Sequence, residues 1–315
     1  MELDIISYQD LINPKKTIAH ENLESALLHK GVVGIRGVPE FEAKTRAYIN
    51  AVRQFCALNE VIKKKYAPNR DVGDTMGYEI GAEWFQDSAG EWKIDDKKAS
   101  YYAFVPDRTG NKWPHEIDIK THYLTLGELI FTIGKMVLDI VGINANNGIM
   151  HDQFIGSGRM LHYHKDNLNC EKDTSWCGAH FDHGVFTGLI PAYYFQDGQE
   201  VDEPSESGLY IAPSNSNEFV KIDAADKSVL LFQAGEFGQL ILNDRIRATQ
   251  HLVKRAKYGI ERFSFALFYS LTNDVVIKSN SVLTSDSRYA NNQCKKGFVT
   301  YGDWHAASFE RYRAK

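Results

Sequence analysis

A chain of 315 residues can bury about three quarters of the surface its unfolded form exposes, so neither a disulfide nor a structural metal is needed to hold a core. Its 36 Lys and Arg against 41 Asp and Glu leave a net charge of −5, which argues against a non-specific nucleic-acid binder. With 43% apolar and 24% charged residues the composition is that of an ordinary soluble globule. The N-terminus, MELDIISYQD, has neither a basic leader nor an apolar run, and no 18 consecutive apolar residues occur anywhere, so the expectation is a cytoplasmic protein that does not engage a membrane. Cys56, Cys170, Cys177 and Cys294 are few and irregularly spaced. They read as thiols in a reducing compartment, and the six residues between Cys170 and Cys177 do not match a zinc spacing.

The first 150 residues read mainly as helix. Glu21 to His29 is a short helix with Leu23, Ala26 and Leu27 on one side, stopped by Gly31, and Val32 to Ile35 follows as a buried strand. Phe41 to Lys65 repeats apolar residues at helical spacing, and Lys63, Lys64 and Lys65 suit a solvated helix C-terminus. Residues 67 to 115 are polar and rich in turns, with Tyr101 to Val105 as a possible strand. Leu124 to Val141 is the clearest helix, with one apolar face through Leu126, Leu129, Ile130, Ile133 and Val137.

From about residue 158 the period changes to two. Short runs separated by turns are expected as strands: Arg159 to His164, Cys177 to Phe181, Thr187 to Ile190, Tyr193 to Gln196, Gly208 to Ile211, Phe219 to Ile222, Ser228 to Phe232, Gln239 to Leu242, Ala248 to Val253 and Arg262 to Tyr269. Turns such as Asp197-Gly198 and Asn243-Asp244 suit antiparallel pairing, and a double-sheet jelly roll of about eight strands is the economical arrangement. The acidic stretch Glu200 to Glu206 reads as a solvated hairpin loop. The resulting expectation is a mainly β chain, 1–315 forming one domain, with a mainly helical part (1–150), a jelly-roll core (151–280) and a C-terminal segment (281–315).

Chemistry concentrates in Gly178-Ala179-His180-Phe181-Asp182-His183-Gly184. On a strand, His180 and Asp182 would share a face. A third ligand would complete the two-histidine, one-carboxylate triad that holds non-haem Fe(II) with open positions. His251, in a later β-like run, can supply it from a neighbouring strand. Arg262 and Ser264 share a face among Phe and Leu, and a buried guanidinium beside a hydroxyl calls for an anion such as a dicarboxylate. A second His-x-Asp, His164 to Asp166, falls earlier in the chain.

The ordered set His-x-Asp, distant His, Arg-x-Ser resembles the Fe(II)/2-oxoglutarate-dependent oxygenases, in the isopenicillin N synthase-like branch. The resemblance extends to Gly31-Val32-Val33-Gly34-Ile35, Asn111-Lys112-Trp113-Pro114, Gly208-Leu209-Tyr210-Ile211 and Tyr301-Gly302-Asp303. It implies a jelly-roll (double-stranded β-helix) core, iron held by His180, Asp182 and His251, and 2-oxoglutarate held by Arg262 and Ser264 with a further contact from Tyr163. Leu161 stands where the family often has Asn, and His164-Lys165 replaces the common Pro-Pro after the Tyr. The implied activity couples oxidative decarboxylation of 2-oxoglutarate, with O2 as co-substrate, to oxidation of a small organic molecule, hydroxylation being the default. An oxidase of the same fold that does not use 2-oxoglutarate, and a non-catalytic metal-binding jelly-roll protein, are the alternatives. Tyr78, Trp84, Tyr102, Phe104 and His183 are candidate substrate contacts. The expected partner is a small molecule, with no nucleic acid and no membrane, and the chain a monomer or homodimer.

Overall fold

The period-two runs become parts of two sheets in the computed structural model, antiparallel except for the parallel edge pair Ile5–Ser7 and Val32–Arg36. The structure describes residues 1–81, 83–86, 92–94, 96–165, 175–214, 216, 218–256, 259–286, 294–295 and 297–312. The larger sheet has ten strands. Its path runs Ile5–Ser7, Val32–Arg36, Val229–Ala234, Phe186–Leu189, Ile260–Leu271, Phe154–Tyr163, Lys98–Val105 and Gly77–Ile80. Tyr193–Gln196 also pairs with Ile260–Leu271, and carries Gln199–Val201 beyond it. The smaller sheet orders Val220–Lys221, Gly208–Ala212, Gln250–Lys254 and Ser175–His180. The larger sheet therefore takes strands from both sides of residue 150.

Alternation on the long strand Ile260–Leu271 decides the layering. Phe263, Phe265, Leu267 and Tyr269 turn to one face, where Phe265 meets Tyr48 and Tyr123 edge-on at 5.1 and 5.0 Å. Arg262, Ser264, Ala266 and Phe268 turn to the other face, into a cavity that the smaller sheet also lines. The helical layer consists chiefly of Ile18–His29, Phe41–Cys56 and Ile119–Ile140. Thr17 and Asp118 cap the first and last of these, accepting from the backbone N–H of His20 and Thr121. The last helix lies so close to the sheet that a Cβ on Gly134 would collide with the Tyr269 hydroxyl, which donates to the Ile130 carbonyl at 2.5 Å.

Nine of the ten expected β runs contain a strand; Gln239 to Leu242 does not. It lies in the buried helix Glu236–Ile241, because Gly235 and Gly238 let that segment press on the Asp182–Val185 backbone. A Cβ at Gly238 would collide with the Val185 carbonyl oxygen. The Phe41 helix stops at Cys56, and Asn59 caps a separate turn, Glu60–Lys63, accepting from Val61 N–H at 2.9 Å. Lys63 is buried rather than solvated, its ammonium on the Cys56 carbonyl (3.0 Å) at the negative end of the preceding helix and on Glu60 (2.5 Å). The Asp197-Gly198 turn forms as expected, both residues at positive φ between paired Gln196 and Gln199. Glu203 departs from the solvated reading of its loop, turning inward to accept from Tyr194 (3.1 Å) and pair with Lys221 (2.8 Å). Among the described residues no helix is long and apolar enough to cross a membrane.

Candidate functional site

The smaller sheet sets two imidazoles side by side. Gln250–Lys254 and Ser175–His180 pair with His251 opposite His180, and the ring centroids lie 4.2 Å apart. Each ring is oriented by the carbonyl two residues before it. His180 Nδ1 faces the Gly178 carbonyl at 2.8 Å and His251 Nδ1 the Thr249 carbonyl at 3.0 Å. Carbonyls only accept, so Nδ1 carries the donated proton in each contact and Nε2 is left as the ligating nitrogen.

Asp182 joins them by a different route from the alternation expected. The strand ends at His180, and Asp182 sits in the turn that crosses to the larger sheet, its carbonyl accepting from Glu236 N–H at 2.8 Å. Two larger-sheet residues fix its carboxylate: Oδ2 accepts from Thr187 Oγ1 at 2.6 Å and from Gln233 Nε2 at 2.8 Å. The other oxygen, Oδ1, faces His180 Nε2 at 3.9 Å and His251 Nε2 at 3.8 Å, and the three ligand atoms lie within 4.8 Å of one another. Burial opposes ionisation of Asp182, but His251, His180, Thr187 and Gln233 outweigh it and hold the carboxyl below its usual range. Burial, then the His180 ring, pushes His251 down to about 4. His180 is half-buried, and although its desolvation opposes protonation, Cys177 and Asp182 raise its pKa to about 9, so an entering cation would displace its proton. Two imidazole nitrogens and one carboxylate oxygen, converging with their outer hydrogen bonds satisfied, suit a divalent transition metal.

The opposite wall carries Arg262, Ser264 and Tyr163. Arg262 pairs in register with Tyr163, and its guanidinium lies 4.9 Å from that ring's centroid. Only 6% of Arg262 is exposed, and its Nε has no hydrogen-bond partner among the described residues. Ser264 Oγ donates to the Ile190 carbonyl at 3.3 Å. A buried cation with an unfilled donor, beside a hydroxyl, is the electrostatic half of a carboxylate site. Both walls border one cavity of about 730 Å³ to its open mouth, with Leu161, Leu189, Leu209, Leu231 and Val253 as apolar lining.

The candidate substrate contacts separate. Tyr102 lines a smaller adjoining cavity, and its hydroxyl donates to Glu83 at 3.2 Å. Phe104 shares the strand face of Tyr102 but is not part of the lining of either cavity. Tyr78 pairs with Tyr101 and packs edge-on against Phe55 in the helical layer, away from the cavity. His183 turns toward the C-terminal helix Tyr301–Tyr312, its ring 5.3 Å from that of His305. Trp84 begins the strand Trp84–Gln86, and its side chain lies outside the described residues. Of the earlier His-x-Asp, the His164 ring lies tilted against that of His162, centroids 4.4 Å apart, and does not line the cavity, while Asp166 lies outside the described residues. Cys170 likewise lies outside them, and Cys177 lines the cavity with Sγ 3.8 Å from His180 Nδ1.

Sequence reasoning passed over Thr187, Gln233, Lys98 and Arg159, all of which line the cavity or touch Asp182. Each sits as a polar residue within a strand otherwise rich in apolar residues, which is the signal that marks them.

No family model matches this chain, and no curated protein matches it. Solved structures do. A full-length Neurospora crassa protein, in complex with alpha-KG, superposes with a TM-score of 0.70 at 19% identity over 98% of this chain and 96% of that one. A 2OG-Fe(II) oxygenase family protein from Caulobacter crescentus gives 0.72 at 18% identity over 98% of both chains. JOX2, in complex with 2OG, Fe and JA, gives 0.70 at 15% identity over 100% of this chain and 90% of that one. The fold is that of the 2OG-Fe(II) oxygenases, as the resemblance in sequence implies.

Proposed function

We propose that the chain is a non-haem Fe(II) oxygenase of one domain that couples oxidative decarboxylation of 2-oxoglutarate to oxidation of a small organic molecule. One observation carries this reading: the His180–Asp182–His251 cluster and the Arg262–Ser264 pair face the same cavity from opposite sheets. The ligands bound in the similar structures support it, alpha-KG with thymine in a complex of the Neurospora crassa protein and 2OG, Fe and JA in JOX2.

The residues present fit the metal and the co-substrate. His180, Asp182 and His251 would hold iron, which when bound supplies the dioxygen-activating redox chemistry that no side chain offers. Thr187 and Gln233 occupy Asp182 Oδ2 and so keep Oδ1 turned to the histidines. Arg262 takes the far carboxylate of 2-oxoglutarate through its fork, filling the unpartnered Nε–H, while Ser264 exchanges its weak bond to Ile190 for a second contact. Tyr163 flanks the guanidinium and closes that end of the cavity. The leucine lining excludes water, which strengthens each of these contacts. For hydroxylation, R–H, 2-oxoglutarate and O2 give R–OH, succinate and CO2.

The test is an anaerobic titration of Fe(II)-loaded protein with 2-oxoglutarate, following the weak visible charge-transfer absorption of a chelated 2-oxo acid. Absorption that disappears in His251→Ala and needs more 2-oxoglutarate in Arg262→Ala is the expected result. Iron-replete protein without the absorption would point to an oxidase that does not use 2-oxoglutarate. Failure to retain iron would leave a binding protein.

A further inference from the structure

The cavity that holds the Arg262 clamp also has a carboxylate in its wall, although the ligand proposed for that clamp is an anion. Glu203 lines the same cavity as Arg262 and Ser264 and is held on both oxygens. Oε1 takes the Lys221 ammonium at 2.8 Å, and the same ammonium donates to the carbonyls of Pro204 and Ser205 at 3.0 and 3.2 Å. Gly208 closes on that oxygen too, since a Cβ there would stand 2.7 Å from it. The other oxygen, Oε2, accepts from the Tyr194 hydroxyl at 3.1 Å.

Tyr194 connects this carboxylate to the clamp. It stands opposite Arg262 on the paired strands Tyr193–Gln196 and Ile260–Leu271, so the two side chains share a sheet face. Tyr194 is fully buried and is not part of the cavity lining. Burial works against the charge on Arg262, but Tyr194, Tyr163 and Glu203 outweigh it and hold the guanidinium above its usual range, Tyr194 through a hydrogen bond as well. Arg262 Nε has no partner among the described residues, so a terminal nitrogen makes the bond to Tyr194. A phenol hydroxyl has one proton to give, and an ionised carboxylate only accepts. That proton goes to Glu203, which leaves the lone pairs of the Tyr194 oxygen for Arg262.

We infer that Tyr194 is a positioning residue for the co-substrate clamp: it holds the Arg262 guanidinium by a terminal nitrogen so that the Nε edge stays free for the far carboxylate of 2-oxoglutarate, and Glu203 fixes the direction of its hydroxyl. The guanidinium cannot turn on its stem without breaking the bond to Tyr194. Glu203 thereby serves an anion site by ordering donors and acceptors, with its charge answered by Lys221. This deepens the oxygenase reading and rests on it.

The experiment uses full-length protein loaded with Fe(II) under anaerobic conditions, so that nothing turns over. Two acids are titrated and followed by the charge-transfer absorption of the chelated 2-oxo group. One is 2-oxoglutarate; the other is 2-oxopentanoate, which keeps the chelating end and the chain length but ends in a methyl group. Wild type should prefer 2-oxoglutarate by about 10- to 100-fold. In Tyr194→Phe that preference should fall by roughly fivefold or more, while affinity for 2-oxopentanoate stays near that of wild type. The variant keeps the ring that lies beside Trp176 and loses only the hydroxyl, so folding is retained, and thermal midpoints check this. In an Arg262→Met background the preference is already lost, and adding Tyr194→Phe should change neither affinity, because Tyr194 acts through Arg262. Glu203→Leu should weaken 2-oxoglutarate binding in wild type and add nothing to Tyr194→Phe. A carboxylate acting by charge alone would give the opposite sign, since its removal would tighten binding of a dianion. A preference that survives Tyr194→Phe, an equal loss for both acids, a further loss beyond Arg262→Met, or unchanged or tighter 2-oxoglutarate binding in Glu203→Leu would overturn the inference while leaving the oxygenase reading in place. Wild type that shows no absorption with either acid, or no preference between them, would instead remove the reading beneath it.

Discussion

The two walls of the cavity are built on different principles. In the smaller sheet both histidines take their orientation from a carbonyl two residues earlier in the chain, Gly178 and Thr249, so the imidazole pair is a local product. In the larger sheet Arg262 and Ser264 are placed by long-range register, through Tyr163 and Leu161 on one neighbouring strand and Tyr194 on another for Arg262. Their strand's other face is the Phe263–Tyr269 side of the hydrophobic core. Asp182 links the walls, since it follows a smaller-sheet strand and is held by Thr187 and Gln233 of the larger one. A ligand set oriented locally should lose its metal without losing its fold. A clamp built into the core-bearing sheet should couple co-substrate affinity to the electrostatics of burial.

The most severe break is His251→Ala. It removes one of three ligands and leaves the larger sheet intact, so anaerobic metal analysis should find the iron lost and turnover abolished while the thermal midpoint of the metal-free protein stays near that of wild type. Stoichiometric iron in the variant would show that the triad is misassigned. Next in size, Arg262→Met removes the fork facing the cavity and should weaken 2-oxoglutarate binding by about 10- to 100-fold, the range expected for charge-assisted hydrogen bonds. Because it also removes a buried cation with an unfilled Nε–H, metal-free protein should be at least as stable as wild type. A large loss of stability would mean that the guanidinium is structural, and the contrast between the walls would fail. Gln233→Leu tests the bridge between them. With only Thr187 left on Asp182 Oδ2, Fe(II) affinity should fall by about 10-fold, at the lower end of what outer hydrogen bonds to metal ligands contribute. Unchanged affinity in a competition titration would make Thr187 sufficient.

Much of this was legible in the residue order, and the remainder was hidden for identifiable reasons. Alternation along Arg262 to Tyr269 assigned one face to the core and one to the cavity, because parity within a strand is local information. Parity between strands is not. Tyr78 belongs with the helical layer because it pairs with Tyr101, and that register appears only once Gly77–Ile80 docks on Lys98–Val105. Arg159 and Lys98 were passed over for the same reason, since their meeting depends on Glu83 arriving from a loop. Gln239 to Leu242 is too short for its apolar pattern to separate helix from strand. What decides it is the approach of Gly235 and Gly238 to carbonyls of the Asp182 turn, a contact across more than fifty residues. Lys63 was read by the habit of its residue type, and its burial follows from the helix ending at Cys56.

The smallest expected effect sharpens the contrast between a histidine that serves the cavity and one that does not. His164 lies just past the strand Phe154–Tyr163, and burial, then His162 and Lys63, pushes its pKa down to about 4 from an ordinary value near 6.5. The folded state thus favours the neutral ring. Its share of stability is present above about pH 6.5 and is lost as pH falls toward 4, because only the unfolded chain takes up the proton in that window. Urea midpoints of metal-free wild type should therefore decline between pH 7 and pH 5, and His164→Gln should decline less steeply. His251 is depressed to a similar value, so adding a divalent metal should remove its part of the slope and leave that of His164 in place. Parallel midpoint curves for wild type and His164→Gln would show that His164 gains its proton as easily when folded as when unfolded. His164 would then offer no imidazole held neutral by burial to compare with the one facing the metal.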